Sequence, residues 1–252
     1  MERIVITEEP GIRTITLDRP AKRNALDSLM LQELAQAFAA PGPGESVAVI
    51  RANGPVFCAG LDLRERCEAG PAAGASPIEH VLEAIERYPL PVVAVVQGDA
   101  IAGGNELALH CDFVVASSSA SFGMSLAQIG LAPTWFLAKK LLEVAGPVAT
   151  REILLLGDPV PAGRMHALGV IARVAPPERL DAEAGAIIER LARNAPLSLK
   201  AMKALLVREM AFRDAIPHAD VDALVDAART SADAREGMAA RLEKRSPNFR
   251  GV

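Results

Sequence analysis

The sequence predicts an α/β domain built from a repeated strand–strand–helix unit and followed by a helical C-terminal region. Two observations predict the first part: apolar, strand-like runs alternate with segments of helical spacing, and short strand pairs lie between the helices. The third observation is that the chain is wholly helical in pattern, and rich in charge, from about Ser198 onward. We therefore expect a core of residues 1–197 and a helical region of residues 198–252, either exposed or packed against other subunits.

The first elements are a hairpin and a helix. In residues 3–18, Val, Ile and Thr alternate with polar residues on both sides of a Pro-Gly pair, which predicts two strands joined by a turn. Asp27 or Ser28 can cap a helix that runs to about Ala39. Later patterns predict a strand (46–53), a helix (77–89), a strand (91–98), a helix (105–112), a strand (113–122), two helical segments (133–146 and 147–157) and a strand near 170–176.

Composition and charge exclude several classes of protein. The 27 Lys and Arg residues against 31 Asp and Glu give a net charge of −4, which offers no general attraction to nucleic acid or anionic membranes. No apolar run reaches the roughly 18 residues that cross a bilayer, and the N-terminus lacks a secretory pattern. Cys58, Cys67 and Cys111 are odd in number and lack CxxC spacing, so we expect no metal site and a reducing cytoplasm.

Two turns of small residues leave apolar strands, one at residues 57–62 and one at residues 98–106. Small residues let a backbone approach a ligand closely, and the amides at the start of a helix carry a partial positive charge. Two such turns could direct two N–H groups at one oxygen, as an oxyanion hole requires. Each turn alone is equally consistent with a tight strand-to-helix connection.

Four motifs together resemble the crotonase, or enoyl-CoA hydratase/isomerase, superfamily. They are "RPAKRNALD" (19–27), "FCAGLDL" (57–63), "GDAIAGGNELALHCDF" (98–113) and "ASFGMSLAQIGLAP" (120–133). Their order and spacing agree with the family, and the C-terminal "SADAREGMAARLEKRSPNF" (231–249) extends the likeness over nearly the whole chain. The resemblance implies a crotonase-like ββα spiral core with a C-terminal helical trimerisation region.

The resemblance also implies which residues bind the substrate. The oxyanion-hole amides would be those of Leu61 and Gly103, which would hold the carbonyl oxygen of a CoA thioester. The implied CoA and acyl contacts are Lys22, Arg23, Ala25, Ala59, Asp62, Leu63, Gly104, Leu126 and Trp135. Coenzyme A is part of the substrate, so no separate cofactor is implied.

Glu106 follows the second turn and matches one of the two acids that hydratases of the family use to orient water and move protons. A helix-capping role is the alternative. The family's second glutamate falls at position 126, where this chain has Leu126 after Ser125. A leucine cannot transfer a proton, so the resemblance implies a single-acid enzyme. His110, on the same helical face as Glu106, or His80 could compensate, although each is more typical of a structural histidine.

The predicted activity is that of an enoyl-CoA hydratase or isomerase. A decarboxylase or thioesterase using the same oxyanion hole is the next interpretation, and an acyl-CoA-binding protein without chemistry is the rival from another class. The family resemblance implies a homotrimer or a dimer of trimers. It also implies that the C-terminal segment packs near a neighbouring subunit's CoA site, where this chain has Arg241 in place of a usual phenylalanine. The variable stretch 64–90 and Trp135 would determine the acyl group.

Overall fold

The computed structural model describes residues 2–70 and 73–251. The described strands are β1 (Ile4–Glu9), β2 (Ile12–Leu17), β3 (Val47–Ala52), β4 (Val92–Val96), β5 (Ala100–Ile101), β6 (Phe113–Ser117), β7 (Ser121–Gly123), β8 (Val160–Pro161) and β9 (Arg173–Ala175). The described α-helices are α1 (Ser28–Ala37), α2 (Leu63–Ala69), α3 (Glu79–Glu86), α4 (Gly103–Leu109), α5 (Trp135–Arg151), α6 (Ala162–Ala167), α7 (Leu180–Arg193), α8 (Pro196–Met210), α9 (Ala219–Thr230) and α10 (Ala232–Glu243).

The larger sheet has six strands in the order β1-β2-β3-β4-β6-β9. Only the β1–β2 pair is antiparallel, and its turn uses Gly11 at φ 79°, which confirms the predicted hairpin. The following pairs are all parallel. A smaller sheet has the order β5-β7-β8. Because β4, β5 and α4 follow one another across the two sheets, the chain shows the strand–strand–helix unit that the sequence predicts.

The larger sheet is covered on both faces, as expected for parallel strands. One face buries Val47, Val49, Val93, Val95 and Val115 under α7. The opposite face packs against α1, α3 and α4 in the main core, where alternate strand residues such as Ile50 and Ala94 lie. Helices on both sides thus fix the carboxyl ends of the strands, from which both small-residue turns extend.

Helix α8 is anchored to this core by a buried lysine. Lys203 is 6% exposed, and its Nζ donates to the carbonyls of Ile85 and Leu90 at 3.2 Å and to Asp112 Oδ2 at 2.6 Å. The expected boundary at residues 197 and 198 lies in the first turn of α8. No helix in the described part of the chain is long and apolar enough to cross a membrane.

Two local features differ from the sequence prediction. Helix α2 was not anticipated, and the single strand predicted over residues 113–122 is two strands, β6 and β7. The two helical segments predicted on either side of Gly146 are both present within α5, where Gly146 has a non-helical φ of 68°, precedes Pro147 and separates the two parts. A proline removes a backbone donor and favours such a break.

Candidate active site

The two small-residue turns meet. A Cβ atom on Gly60, whose φ is 87°, would lie 2.9 Å from the Gly103 nitrogen. A Cβ atom on Gly103 would lie 3.4 Å from the Leu61 nitrogen. Glycine at these positions therefore allows the backbone of the first turn to lie directly against the start of α4, and the amides of residues 61 and 103 are close neighbours.

Neither amide is used by the surrounding backbone. The bridge between Leu61 and Leu26 is made by the flanking groups, since Leu26 N–H donates to Gly60 O and Asp62 N–H donates to Leu26 O. Gly103 is the first residue of α4, where an N–H has no intrahelical acceptor. Among the described residues, neither the Leu61 nor the Gly103 amide donates a hydrogen bond outside the regular elements.

Both residues line one cavity of about 420 Å³, together with Glu106. Most of its wall is apolar, including Ile78, Ile101, Leu126, Ile129, Leu131 and Leu137. Of the predicted substrate contacts, Arg23, Ala59, Leu63 and Leu126 also line it. A larger cavity of about 580 Å³ between α3, α5 and α8 contains none of the predicted site residues. The smaller cavity is therefore the candidate active site.

Glu106 is held in the wall of this cavity without a polar partner. It lies in the first turn of α4 and is 1% exposed, and neither carboxylate oxygen accepts a hydrogen bond from the described residues. Burial raises the pKa of Glu106 to about 8, although the charge of Lys140 opposes the shift. A carboxyl with this pKa can both accept and return a proton near neutral pH.

His110 does not hydrogen-bond to the Glu106 side chain. Its Nδ1 lies 2.8 Å from the Glu106 carbonyl and therefore donates to it, whereas Glu106 Oε2 is 3.8 Å away. Burial, followed by the charge of Lys140, lowers the pKa of His110 to about 4, so the ring is neutral. The ring stacks on Phe136 at 5.2 Å between centroids. His80 is exposed beside a different cavity, between α1 and α3.

The predicted CoA-binding loop is fixed by an asparagine that the sequence reasoning did not single out. Arg23 and Asn24 both have left-handed backbones, with φ of 53° and 51°. The buried Asn24 side chain donates to the carbonyls of Asn53 and Val56 at 2.8 Å. Ala59 N–H donates to the Arg23 carbonyl at 3.0 Å, which joins this loop to the first turn. The only sequence signal was the position of Asn24 inside the "RPAKRNALD" motif.

Five predicted contacts do not line the cavity: Lys22, Ala25, Asp62, Gly104 and Trp135. Lys22 is exposed and Ala25 half-buried in the loop described above. Trp135 stacks on His218 at 4.5 Å between ring centroids and does not line this cavity. The neighbouring Thr134 and Leu137 line the cavity instead, because the first turn of α5 directs these side chains inward.

Asp62 and Gly104 have structural positions. Asp62 caps α2 by accepting from Arg64 N–H and pairs with Arg19 at 2.7 Å. Burial alone would raise the pKa of Asp62. The hydrogen bond from Arg19 is among the contacts that outweigh burial and hold this pKa below its usual value. A Cβ atom on Gly104 would lie 2.2 Å from the Cys58 carbonyl oxygen. Gly104 therefore permits the contact between α4 and the first turn, and it does not line the candidate cavity.

Asp99, Arg66 and Arg229 line the cavity but were not among the predicted site residues, whereas the segment of Arg241 was expected near a CoA site. Asp99 lies in the second turn, where its carboxylate accepts from Ser121 N–H at 3.1 Å. Arg66, Arg229 and Arg241 come from three separate helices. Among the described residues, no group of three or more His, Cys, Asp or Glu residues is arranged to hold a metal ion.

The fold and this cavity place the chain among the crotonase-fold proteins. A sequence model described as enoyl-CoA hydratase/isomerase matches residues 7–252. The chain therefore belongs to the enoyl-CoA hydratase/isomerase family.

Individual relatives span the whole chain. The 2,3-dehydroadipyl-CoA hydratase of Escherichia coli K12 is 32% identical to this chain over 256 residues, and the match covers 100% of both proteins. The crotonyl-CoA hydratase of Syntrophomonas wolfei is 31% identical and 98% of each chain is covered. A crystal structure of methylmalonyl-CoA decarboxylase complexed with 2S-carboxypropyl-CoA has a TM-score of 0.91 at 25% identity, covering 100% of this chain and 99% of that one. The crystal structure of an enoyl-CoA hydratase from Mycobacterium avium subsp. paratuberculosis has a TM-score of 0.84 at 28% identity, with 98% of each chain covered.

Proposed function

We propose that this protein hydrates 2-enoyl-CoA thioesters with one carboxyl group, that of Glu106, as its acid and base. The observation that carries the proposal is that Leu61, Gly103 and Glu106 line one largely apolar cavity. The names of the hydratase relatives support the reaction type.

The oxyanion hole would stabilise the charge that develops during water addition. The thioester oxygen would accept hydrogen bonds from Leu61 and Gly103 and become an enolate oxygen as water attacks the β-carbon. A preorganised donor of this kind contributes about 2.7–4 kcal/mol to transition-state stabilisation. The apolar wall would keep other water away and strengthen both hydrogen bonds.

Glu106 would accept a proton in the first half of the reaction and donate one in the second half. Its carboxylate accepts a proton from the attacking water while the water oxygen bonds to the β-carbon and the double-bond electrons move to the enolate. The protonated Glu106 then returns a proton to the α-carbon as the thioester carbonyl re-forms. No second acid is then needed at position 126, where Leu126 would form part of the acyl-binding wall.

The remaining predicted contacts would bind the CoA portion. Lys22 and Arg23, both exposed, would attract the nucleotide phosphates at the cavity entrance, and Ala25 would lie behind them. Ala59 and Leu63 would form the wall along the pantetheine arm. We further propose a homotrimer or a dimer of trimers. Its setting would be a reducing cytoplasm, because Cys58, Cys67 and Cys111 are free thiols.

The test is the rate of crotonyl-CoA hydration, measured as the loss of crotonyl-CoA absorbance. We expect Glu106→Gln to reduce kcat by about 100-fold or more, because an amide cannot accept the water proton. Binding of a saturated acyl-CoA should persist in this variant. Glu83→Gln, which changes a surface glutamate paired with Arg87, is the matched control and should leave turnover unchanged. Turnover unaffected by Glu106→Gln would remove this residue from the mechanism.

Decarboxylation is the second candidate, favoured by the similarity to methylmalonyl-CoA decarboxylase and by the leucine at position 126. The same two amides would stabilise the enolate left when carbon dioxide departs. Release of carbon dioxide from methylmalonyl-CoA, without hydration of crotonyl-CoA, would establish this alternative. Tight acyl-CoA binding with neither reaction, and hydration that appears only in Leu126→Glu, would indicate a binding protein.

A further inference from the structure

Three arginines from three helices line the same cavity as Glu106: Arg66 of α2, Arg229 of α9 and Arg241 of α10. No carboxylate among residues 2–70 and 73–251 lies within ion-pair distance of any of them. Several arginines elsewhere in the chain are paired, as Arg19 is with Asp62 and Arg245 with Glu236. The cavity therefore concentrates positive charge that the surrounding protein does not neutralise.

Arg229 is the most deeply placed of the three. It is 4% exposed, and its guanidinium donates through Nη1 to the Gly74 carbonyl. Among the described residues this is the one hydrogen bond of the Arg229 side chain, and it orients the group without pairing its charge. A buried charge is costly unless it is paired, so an anion that is absent from the chain itself would explain why arginine occupies this position.

Arg66 lies close enough to Arg229 for their two positive charges to interact. Burial, followed by the positive charge of Arg229, lowers the pKa of Arg66. Two neighbouring guanidinium groups repel each other unless an anion lies between them. The planar, forked geometry of guanidinium suits a carboxylate particularly well.

The carboxyl groups of the cavity cannot serve as this anion. Asp99 accepts a hydrogen bond from Ser121 N–H and belongs to the second turn, and Glu106 has its pKa raised by burial. The nucleotide phosphates of CoA have separate exposed cations in the proposed binding loop, Lys22 and Arg23. The anion that remains to be bound within the apolar cavity is one on the acyl group.

We propose that the acyl group of the substrate ends in a carboxylate, and that Arg66 and Arg229 bind it, with the exposed Arg241 attracting it at the cavity rim. This inference rests on the proposed function and specifies its substrate class: 2-enoyl-CoA thioesters of dicarboxylic acids. The arginines then determine specificity at the end of the acyl chain remote from Glu106 and the oxyanion hole.

The test compares two 2-enoyl-CoA substrates of equal chain length, one ending in a carboxylate and one in a methyl group. We expect kcat/KM of the native protein to favour the carboxylate by about tenfold or more, as one charge-assisted contact provides. Arg66→Met should remove this preference, mainly by raising KM for the carboxylate-ended substrate. Arg64→Met, two residues earlier on α2 and exposed, is the matched control and should keep the preference.

Further measurements separate this inference from its alternatives. If Arg66→Met weakens both substrates equally, and the loss disappears with pantetheine thioesters that lack the nucleotide phosphates, the arginines bind CoA and the inference is wrong. An unchanged preference in Arg66→Met would also overturn it. Should no hydration occur at all, Arg66-dependent binding of a saturated, carboxylate-ended acyl-CoA by calorimetry would support the inference while the proposed function fails. Thermal unfolding checks that Arg66→Met is folded.

Discussion

Two opposing effects of unequal size set the protonation state of the Glu106 carboxyl near neutral pH. Burial disfavours the charged form, and the Lys140 charge favours it, with burial the larger effect. The nearby His110 contributes no charge, because its pKa is lowered to about 4. The resulting pKa of about 8 means that more than half of the molecules carry a protonated Glu106 at neutral pH.

The proposed mechanism therefore predicts a particular pH dependence. The base that receives the water proton must be ionised, so kcat/KM for hydration should rise with pH, follow an apparent pKa of about 8, and level off above it. A pH–rate profile with crotonyl-CoA measures this directly. A rate that instead decreases as pH rises through this range would show that protonated Glu106 is the required form, contrary to the proposed order of steps.

Leu61, Gly103 and Glu106 all line the cavity, as their motifs predict, whereas five of the nine predicted binding contacts do not. These three residues sit in contiguous motifs whose local geometry places them. Arg229 and Arg66 are separated by most of the chain, and only the packing of α2 near α10 and α9 brings them to one site. Asp62 and Gly104 were expected to contact substrate because a motif does not distinguish residues that face a ligand from those that support the turn.

At the scale of elements, the candidate site depends on the contact between α4 and the first turn. Gly104 allows this contact, because any side chain there would collide with the Cys58 carbonyl at 2.2 Å. The same contact brings the Leu61 amide beside the Gly103 amide. Pushing α4 away would therefore change the spacing of the two donors, as well as the packing.

We expect Gly104→Ala to destabilise the protein by about 1–3 kcal/mol or more through overpacking, and to reduce hydration even where the protein stays folded. Gly163→Ala is the matched control: Gly163 is also the second residue of its helix, α6, but a Cβ atom there meets nothing within 4 Å. That variant should be stabilised by about 0.5–1 kcal/mol. Urea denaturation and kcat measured on both variants provide the check, and equal stability would contradict the packing argument.

The elements that the sequence predicted are those with strong periodicity. Strands β3 and β4 are continuous apolar runs, and α1 has both an apolar face and the Asp27 cap, which accepts from Met30 N–H. Strands β5 and β8 have two residues each, too few for any alternation to show. Helix α2 buries none of its residues fully, so its sequence carries little hydrophobic pattern.

On the scale of the whole molecule, α8 has two dissimilar sides. Lys203 ties one side to the core through Asp112 and two carbonyls. Four apolar residues of the same helix are largely exposed: Leu197 (82%), Met202 (61%), Leu205 (60%) and Leu206 (64%). Exposed apolar surface of this extent on one element is typical of an interaction surface. The proposed homotrimer would bury it between copies of the chain.

Placing a charge on this exposed surface should then disrupt assembly. Burying a leucine side chain contributes about 1.5–3 kcal/mol, and burying an unpaired carboxylate is unfavourable. We expect Leu206→Glu to shift the protein from trimers or hexamers to monomers in light scattering after size-exclusion chromatography. Leu168→Glu is the matched control, because Leu168 is a 41%-exposed leucine at the end of α6, and this variant should assemble normally.

A native protein that is monomeric at all concentrations would contradict the proposed assembly. An assembly that persists in Leu206→Glu would show that subunits associate through another surface. Because Leu206 does not line the candidate active site, the two variants also test whether assembly itself is needed for activity.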